Sequence, residues 1–173
     1  MDAFRMPEGT DDPAAMTPEG YGERAVDAFY EGYNCAQSVV KAFADDPKVR
    51  ELGLSEEKLL ALASSFGGGM GRLREVCGAV SAMFMIDGLL EGYGTPETGD
   101  VKKAHYERIQ ALAAAFKERH ETIICRELLG LPEGASDPAP APRTDRYYDT
   151  RPCPKLIRSA AEILAKQLYS PVR

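Results

Sequence analysis

Apolar residues recur along this chain at intervals of three and four, the spacing that gathers them on one face of a helix, and no stretch alternates convincingly as a strand would. Thr17 and Pro18 open a first candidate helix striped by Ala25, Val26, Phe29 and Tyr30 and ended by Glu31, Gly32 and Tyr33. Asn34 suits the N-cap of a second, and Gln37 completes a capping-box-like arrangement. Cys35, Ala36, Val39, Val40 and Phe43 share one face of it, so Cys35 is expected in the first turn and facing inward. Asp45, Asp46 and Pro47 close that helix. Ser55 caps a third, with Glu56 and Glu57 favourable in its first turn and Leu59, Leu60, Leu62 and Ala63 as its buried side.

That helix runs into Phe66-Gly67-Gly68-Gly69-Met70-Gly71. From about Leu73 to Glu91 the chain is apolar on nearly every side, as a helix at the centre of a bundle would be. Cys77 lies near its start. A fifth helix is predicted from about Asp100 to His120, striped by Val101, His105, Ile109, Leu112, Ala113 and Phe116. A shorter helical piece over 122–129 carries Cys125. The last helix begins at Cys153 and Pro154, where proline fits the first helical position, and its inner face is Ile157, Ala160, Ala161, Leu164 and Leu168. The pattern predicts an all-α, single-domain helical bundle of about six helices over 17–173, preceded by a flexible polar arm over 1–16. A Pro- and Ala-rich loop at 131–152 holds Tyr147 and Tyr148; a loop of that length is often functional or disordered.

Composition narrows the classes. The 173 residues carry a formal charge of −6 and no basic run, which argues against nucleic acid as a partner. The N-terminus has neither a basic nor an apolar signal-peptide region. The most apolar stretch, Val76–Leu90, contains Ser81 and Asp87 and is too short to span a membrane. No membrane association is expected, and the default location is cytoplasmic. There, stable disulfides are rare and several cysteines more often mean metal or redox chemistry; an exported chain could form three alternative pairings.

The chemistry therefore centres on Cys35, Cys77, Cys125 and Cys153. No two form a CxxC pair, so they can meet only if the helices bring them together. Cys35 follows an N-cap, Cys153 stands at or next to one, and Cys77 is within about a turn of a helix start. Helix N-termini carry free N–H donors and partial positive charge, which can lower a thiol from about 8.5 to roughly 3.5–7.5. The thiolate is both the nucleophile and the metal ligand. The glycines admit two readings: a nest of amides facing an anion or a sulfur cluster, or a tightly turning connector. No Lys-Ser or Lys-Thr follows them, so they are not a phosphate loop. His105 reads as a hydrogen-bonded core residue and His120 as a helix-end cation. Asp87 must be either paired and buried or exposed on a narrow outer strip. No Ser/His/Asp set can be assigned.

Gly32-Tyr33-Asn34-Cys35-Ala36-Gln37, Phe66-Gly67-Gly68-Gly69-Met70-Gly71, Cys77-Gly78-Ala79-Val80-Ser81, Cys125 before Leu128-Leu129-Gly130, and Cys153 occur in one order. This ordered set resembles the redox-active C_GCAxxG_C_C family over roughly residues 20–168. Where that family has glycine this chain has Ala82. The set is also similar to the cluster-bearing domain of split-Soret cytochromes, which implies an iron–sulfur centre; no CxxCH is present for haem attachment. The resemblance implies a redox or electron-transfer protein whose four cysteines act as thiol and metal-binding residues, with Gly67, Gly68, Gly69, Gly71 and Gly78 as cofactor-binding backbone. Three alternatives stay open. One is a metal-free dithiol/disulfide protein exchanging through Cys35 and Cys77. Another is a structural zinc site on the four cysteines. The third is a helical interaction protein with buried cysteines. The identity of a redox partner is open, as is a homodimer.

Overall fold

The computed structural model describes residues 17–169; the arm expected over 1–16 lies outside the described residues. Helix α1 (Pro18–Tyr30) starts where Thr17 accepts a hydrogen bond from the Gly20 amide at 3.2 Å, with Pro18 at its first position. It buries Tyr21, Ala25, Ala28 and Phe29, whereas Tyr30, expected on the stripe, is exposed. Helix α2 (Cys35–Ala44) carries the predicted capping box: Asn34 Oδ1 accepts from the Ala36 and Gln37 amides at 3.0 Å, and Gln37 Oε1 accepts from the Asn34 amide. A short helix α3 (Pro47–Arg50) follows, absent from the sequence expectation. Its N-cap, Asp46, is buried and accepts hydrogen bonds from the hydroxyls of Tyr21 and Tyr169, which ties three elements together. Helix α4 (Glu56–Ser64) starts at Ser55 as expected, but Leu62 is 62% exposed rather than buried, leaving Leu59, Leu60 and Ala63 inside.

A single turn α5 (Gly67–Met70) leads to α6 (Gly78–Glu91). The central helix thus begins five residues later than its apolar run suggests, because residues 70–74 contain three non-glycine residues with left-handed φ: Met70, Arg72 and Arg74. Helix α6 packs against α2, α10 and α7. Its Ala79, Val80, Ala82, Met83 and Ile86 lie fully inside, so the methyl of Ala82 is absorbed by the core. Asp87 is fully buried and paired: Arg108 donates at 2.9 Å and Gln167 at 3.2 Å.

Helix α7 (Gly99–His120) fully buries only Leu112 and Phe116. His105 is partly buried, 3.9 Å from Asp87 through a Nδ1 that makes no hydrogen bond, so it is not the satisfied core histidine expected. After α7, Glu121 takes a left-handed φ of 68° and turns the chain back toward α6. The turn α8 (Cys125–Leu128), the helix α9 (Asp145–Thr150) inside the predicted loop, and α10 (Cys153–Tyr169) complete the all-α fold. Six helices have seven residues or more. The only β feature among the described residues is one antiparallel bridge, Val76 to Ile124. No helix among them is long and apolar enough to cross a membrane.

Candidate redox centre

Each cysteine occupies a helix start. Cys35, Cys125 and Cys153 are the first residues of α2, α8 and α10, and Cys77 is the N-cap of α6. The four starts point into one small cavity that Cys35, Cys77, Cys125 and Cys153 line together with Gly68, Gly69 and Gly78. Cys35 is half-buried, the other three are buried, and all are free thiols. Four helix starts and four sulfurs therefore share a largely dehydrated space, in which the helix ends favour a thiolate and burial opposes it. Among the described residues, no three His, Cys, Asp or Glu side chains are drawn together tightly enough for one metal ion.

Cys77 and Cys125 are held by paired backbone. Cys77 N donates to Ile123 O at 2.8 Å, Cys125 N to Glu75 O at 2.6 Å, and Arg126 N to Arg74 O at 3.1 Å, on either side of the Val76–Ile124 bridge. The second pair sits on the bundle proper, on α2 and α10. Here Cys35 and Cys153 lie close enough for each thiol to shift the other. The interaction between the two thiols, more than any other factor, lowers Cys153 to about 7, against the effect of burial and with help from the Arg151 charge. It raises Cys35, and burial adds to the rise. Burial pushes Cys77 up to about 12, opposed by the nearby Ala79 and Val80 backbone amides. Burial also raises Cys125, opposed by Arg74. The exchanging pair suggested by helix position, Cys35 with Cys77, is thus not the one in contact: Cys77 is deep and Cys35 meets Cys153.

The glycines bring backbone up to these sulfurs. A Cβ on Gly69 would stand 2.6 Å from Cys125 Cβ, and one on Gly78 would stand 2.7 Å from Phe66 O and 3.3 Å from Cys35 Cβ. One on Gly67 would stand 2.5 Å from the Asn34 side chain that caps α2. Gly71 keeps a left-handed φ of 61°, and a Cβ there would meet nothing nearer than Ser65 O at 3.8 Å. Backbone in this region costs about 1–3 kcal/mol at each non-glycine position, so Met70, Arg72 and Arg74 store strain beside the cavity.

Sequence reasoning missed Arg74. It is 3% exposed, its Nη1 lies 3.8 Å from Cys125 Sγ, and its Nε donates to Ser136 Oγ at 2.7 Å. A buried guanidinium needs a compensating negative charge, and among the described residues it pairs with no carboxylate. No periodicity marks a buried arginine in a turn, so only the fold reveals it. The Pro-rich loop at 131–152 is ordered and takes the functional side of the two readings its length allowed. It is docked across the sulfurs: Arg143 donates to Phe29 O and Tyr33 O, both at 2.8 Å, and Ser136 N donates to Arg72 O at 3.0 Å. His105 and His120 do not line the sulfur cavity.

A family model described as "Putative redox-active protein (C_GCAxxG_C_C)" matches residues 33–167, a span that contains all four cysteines. No curated protein and no solved structure matches the chain.

Proposed function

Because the chain belongs to the redox-active C_GCAxxG_C_C family, we propose that its four cysteines form one electron-accepting centre holding an iron–sulfur cluster. The observation that carries this reading is the meeting of four cysteine-bearing helix starts at a single cavity. The donor set suits the group: iron–sulfur clusters are held by four thiolates, and the unpaired guanidinium of Arg74 beside Cys125 suits a centre that is negatively charged overall. When bound, such a cluster supplies a reversible one-electron couple. The chain's own residues do the rest. Cys35, Cys77, Cys125 and Cys153 present the sulfurs. Arg74 donates toward the Cys125 sulfur and so favours the reduced, more negative state. Gly69 and Gly78 let backbone approach the cysteines at distances where a Cβ would collide.

Anaerobic purification followed by iron, sulfide and zinc analysis tests this reading. Stoichiometric iron and sulfide with visible absorbance that bleaches on reduction are expected. Cys77→Ser is expected to lose the iron while helix content is kept. Zinc in place of iron, or unchanged iron in every single Cys→Ser variant, would sink the proposal.

A second reading rests on the closeness of Cys35 to Cys153. Without metal, the Cys153 thiolate and the Cys35 thiol would close a disulfide, releasing two electrons to a redox partner and the remaining proton to solvent. Metal-free protein isolated with that bridge, mapped by mass spectrometry, would favour it over the cluster.

A further inference from the structure

Above the sulfur cavity lies a second, larger cleft of about 280 Å³. The two share Cys35, Gly68, Cys125, Leu129 and Cys153, so three of the four sulfurs face the cleft while Cys77 lines only the inner space. The charged residues of its lining are Arg72, Arg74, Arg143 and Arg151, with no aspartate or glutamate among them. Four like charges in one cleft run against the character of a chain whose net charge is −6.

None of these four arginines pairs with a carboxylate among the described residues. Arg108, Arg119, Arg126 and Arg158, outside the cleft, each do. The four are nevertheless held in place. Arg72 donates through Nε to Asp137 O, Arg74 to Ser136 Oγ, and Arg143 to two backbone carbonyls. Tyr147 lies between two of them, with Arg143 Cζ 5.8 Å and Arg151 Cζ 4.5 Å from its ring centre. These contacts use a minority of the five donors each guanidinium carries. What remains is a fixed set of unspent N–H donors in a cleft partly shielded from water. Guanidinium forks match carboxylate and phosphate oxygens in pairs, and donors fixed beforehand lose little entropy on binding. Phe29, Leu129 and Pro138 add apolar wall, and the volume exceeds that of a bare inorganic ion.

We infer that this cleft binds a small organic anion through a phosphate, sulfonate or carboxylate head, seated over Cys35, Cys125 and Cys153.

Calorimetric titration of the full chain as purified, at constant ionic strength, tests the inference. Phenyl phosphate, benzenesulfonate and benzoate are the anionic probes, and benzyl alcohol is the neutral control. At least one anion is expected to bind and the control not to, with affinity falling as salt rises. Which anion binds best identifies the head group. Arg151→Gln, at a partly exposed position, is expected to weaken binding about tenfold, the scale of one charge-assisted hydrogen bond. Arg151→Lys should restore part of the loss, and Arg143→Gln provides an independent second reading. Equal binding of the neutral probe, no binding by any anion, or affinities indifferent to both glutamine variants would overturn the inference. Iron and thiol content measured on the same samples separate that failure from a failure of the redox reading.

Discussion

Substitutions at three glycines separate two physical effects at the sulfur cavity. Gly71→Ala tests conformation alone: φ is 61° and the nearest atom to a new Cβ is 3.8 Å away. The left-handed conformation costs an alanine about 1–2 kcal/mol. Gly78→Ala tests close approach alone: its φ is ordinary, but the new methyl would meet Phe66 O at 2.7 Å and Ala36 N at 3.2 Å. Backbone on both sides cannot rotate away, so a cost of about 1–3 kcal/mol is expected from overpacking. Gly69→Ala combines both effects, with φ at 70° and contacts of 2.6 Å to Cys125 Cβ and 2.9 Å to Glu75 N, and should cost about 2–5 kcal/mol. Urea unfolding of the three variants, read from midpoints at an unchanged m-value, gives the ranking. Gly69→Ala and Gly78→Ala should also alter thiol accessibility, whereas Gly71→Ala should leave it intact. A near-neutral Gly78→Ala, or Gly71→Ala as damaging as Gly69→Ala, would refute the argument that glycine is needed here for contact with the sulfurs.

Two further outcomes are expected. In reduced, metal-free protein, alkylation of Cys153 should rise through pH of about 7 and then level off, because its thiolate is already favoured there, while Cys77, pushed up to about 12, stays slow. The sign for stability follows: a thiol depressed by folding stabilises the fold above its unfolded value, and that contribution is lost as pH falls through about 7. A Cys153 rate still climbing above pH 9, the ordinary thiol value, would contradict this. Asp87→Asn removes the charge from a fully buried carboxylate bonded to Arg108 and Gln167, and should cost about 1.5–3 kcal/mol in urea unfolding while leaving thiol reactivity unchanged. A neutral effect would mean that Arg108 contributes nothing through that bond.

The helices were legible because their signals are local. The Asn34–Gln37 box, Thr17 with Pro18, and Ser55 each satisfy free amides within one turn, and each marks a true start. The placement of cysteines at helix starts was readable for the same reason, and for Cys125 it went further than expected. What failed was tertiary or strained. The start of α6 could not be read because Val76 and Cys77 look as apolar as the helix that follows, while left-handed Arg72 and Arg74 belong to a conformation no residue pattern encodes. Leu62 and Tyr30 have the right period but stay exposed, Tyr30 meeting only the rings of Phe29 and of Tyr148 from the distant loop. The contact of Cys35 with Cys153 joins the second helix to the last, and the arginines of the cleft come from two segments widely separated in sequence. Such pairings depend on how helices dock, which periodicity does not record.

The partners Cys35 and Cys153 stand 118 positions apart, at the start of the second helix and of the last. Any covalent or coordinate link between them fastens about two thirds of the polypeptide into a ring. Closing a ring of that size removes freedom from the unfolded chain worth about 4–5 kcal/mol on a chain-entropy view. The oxidation state or occupancy of a few sulfurs would then be felt by the molecule as a change in its melting temperature.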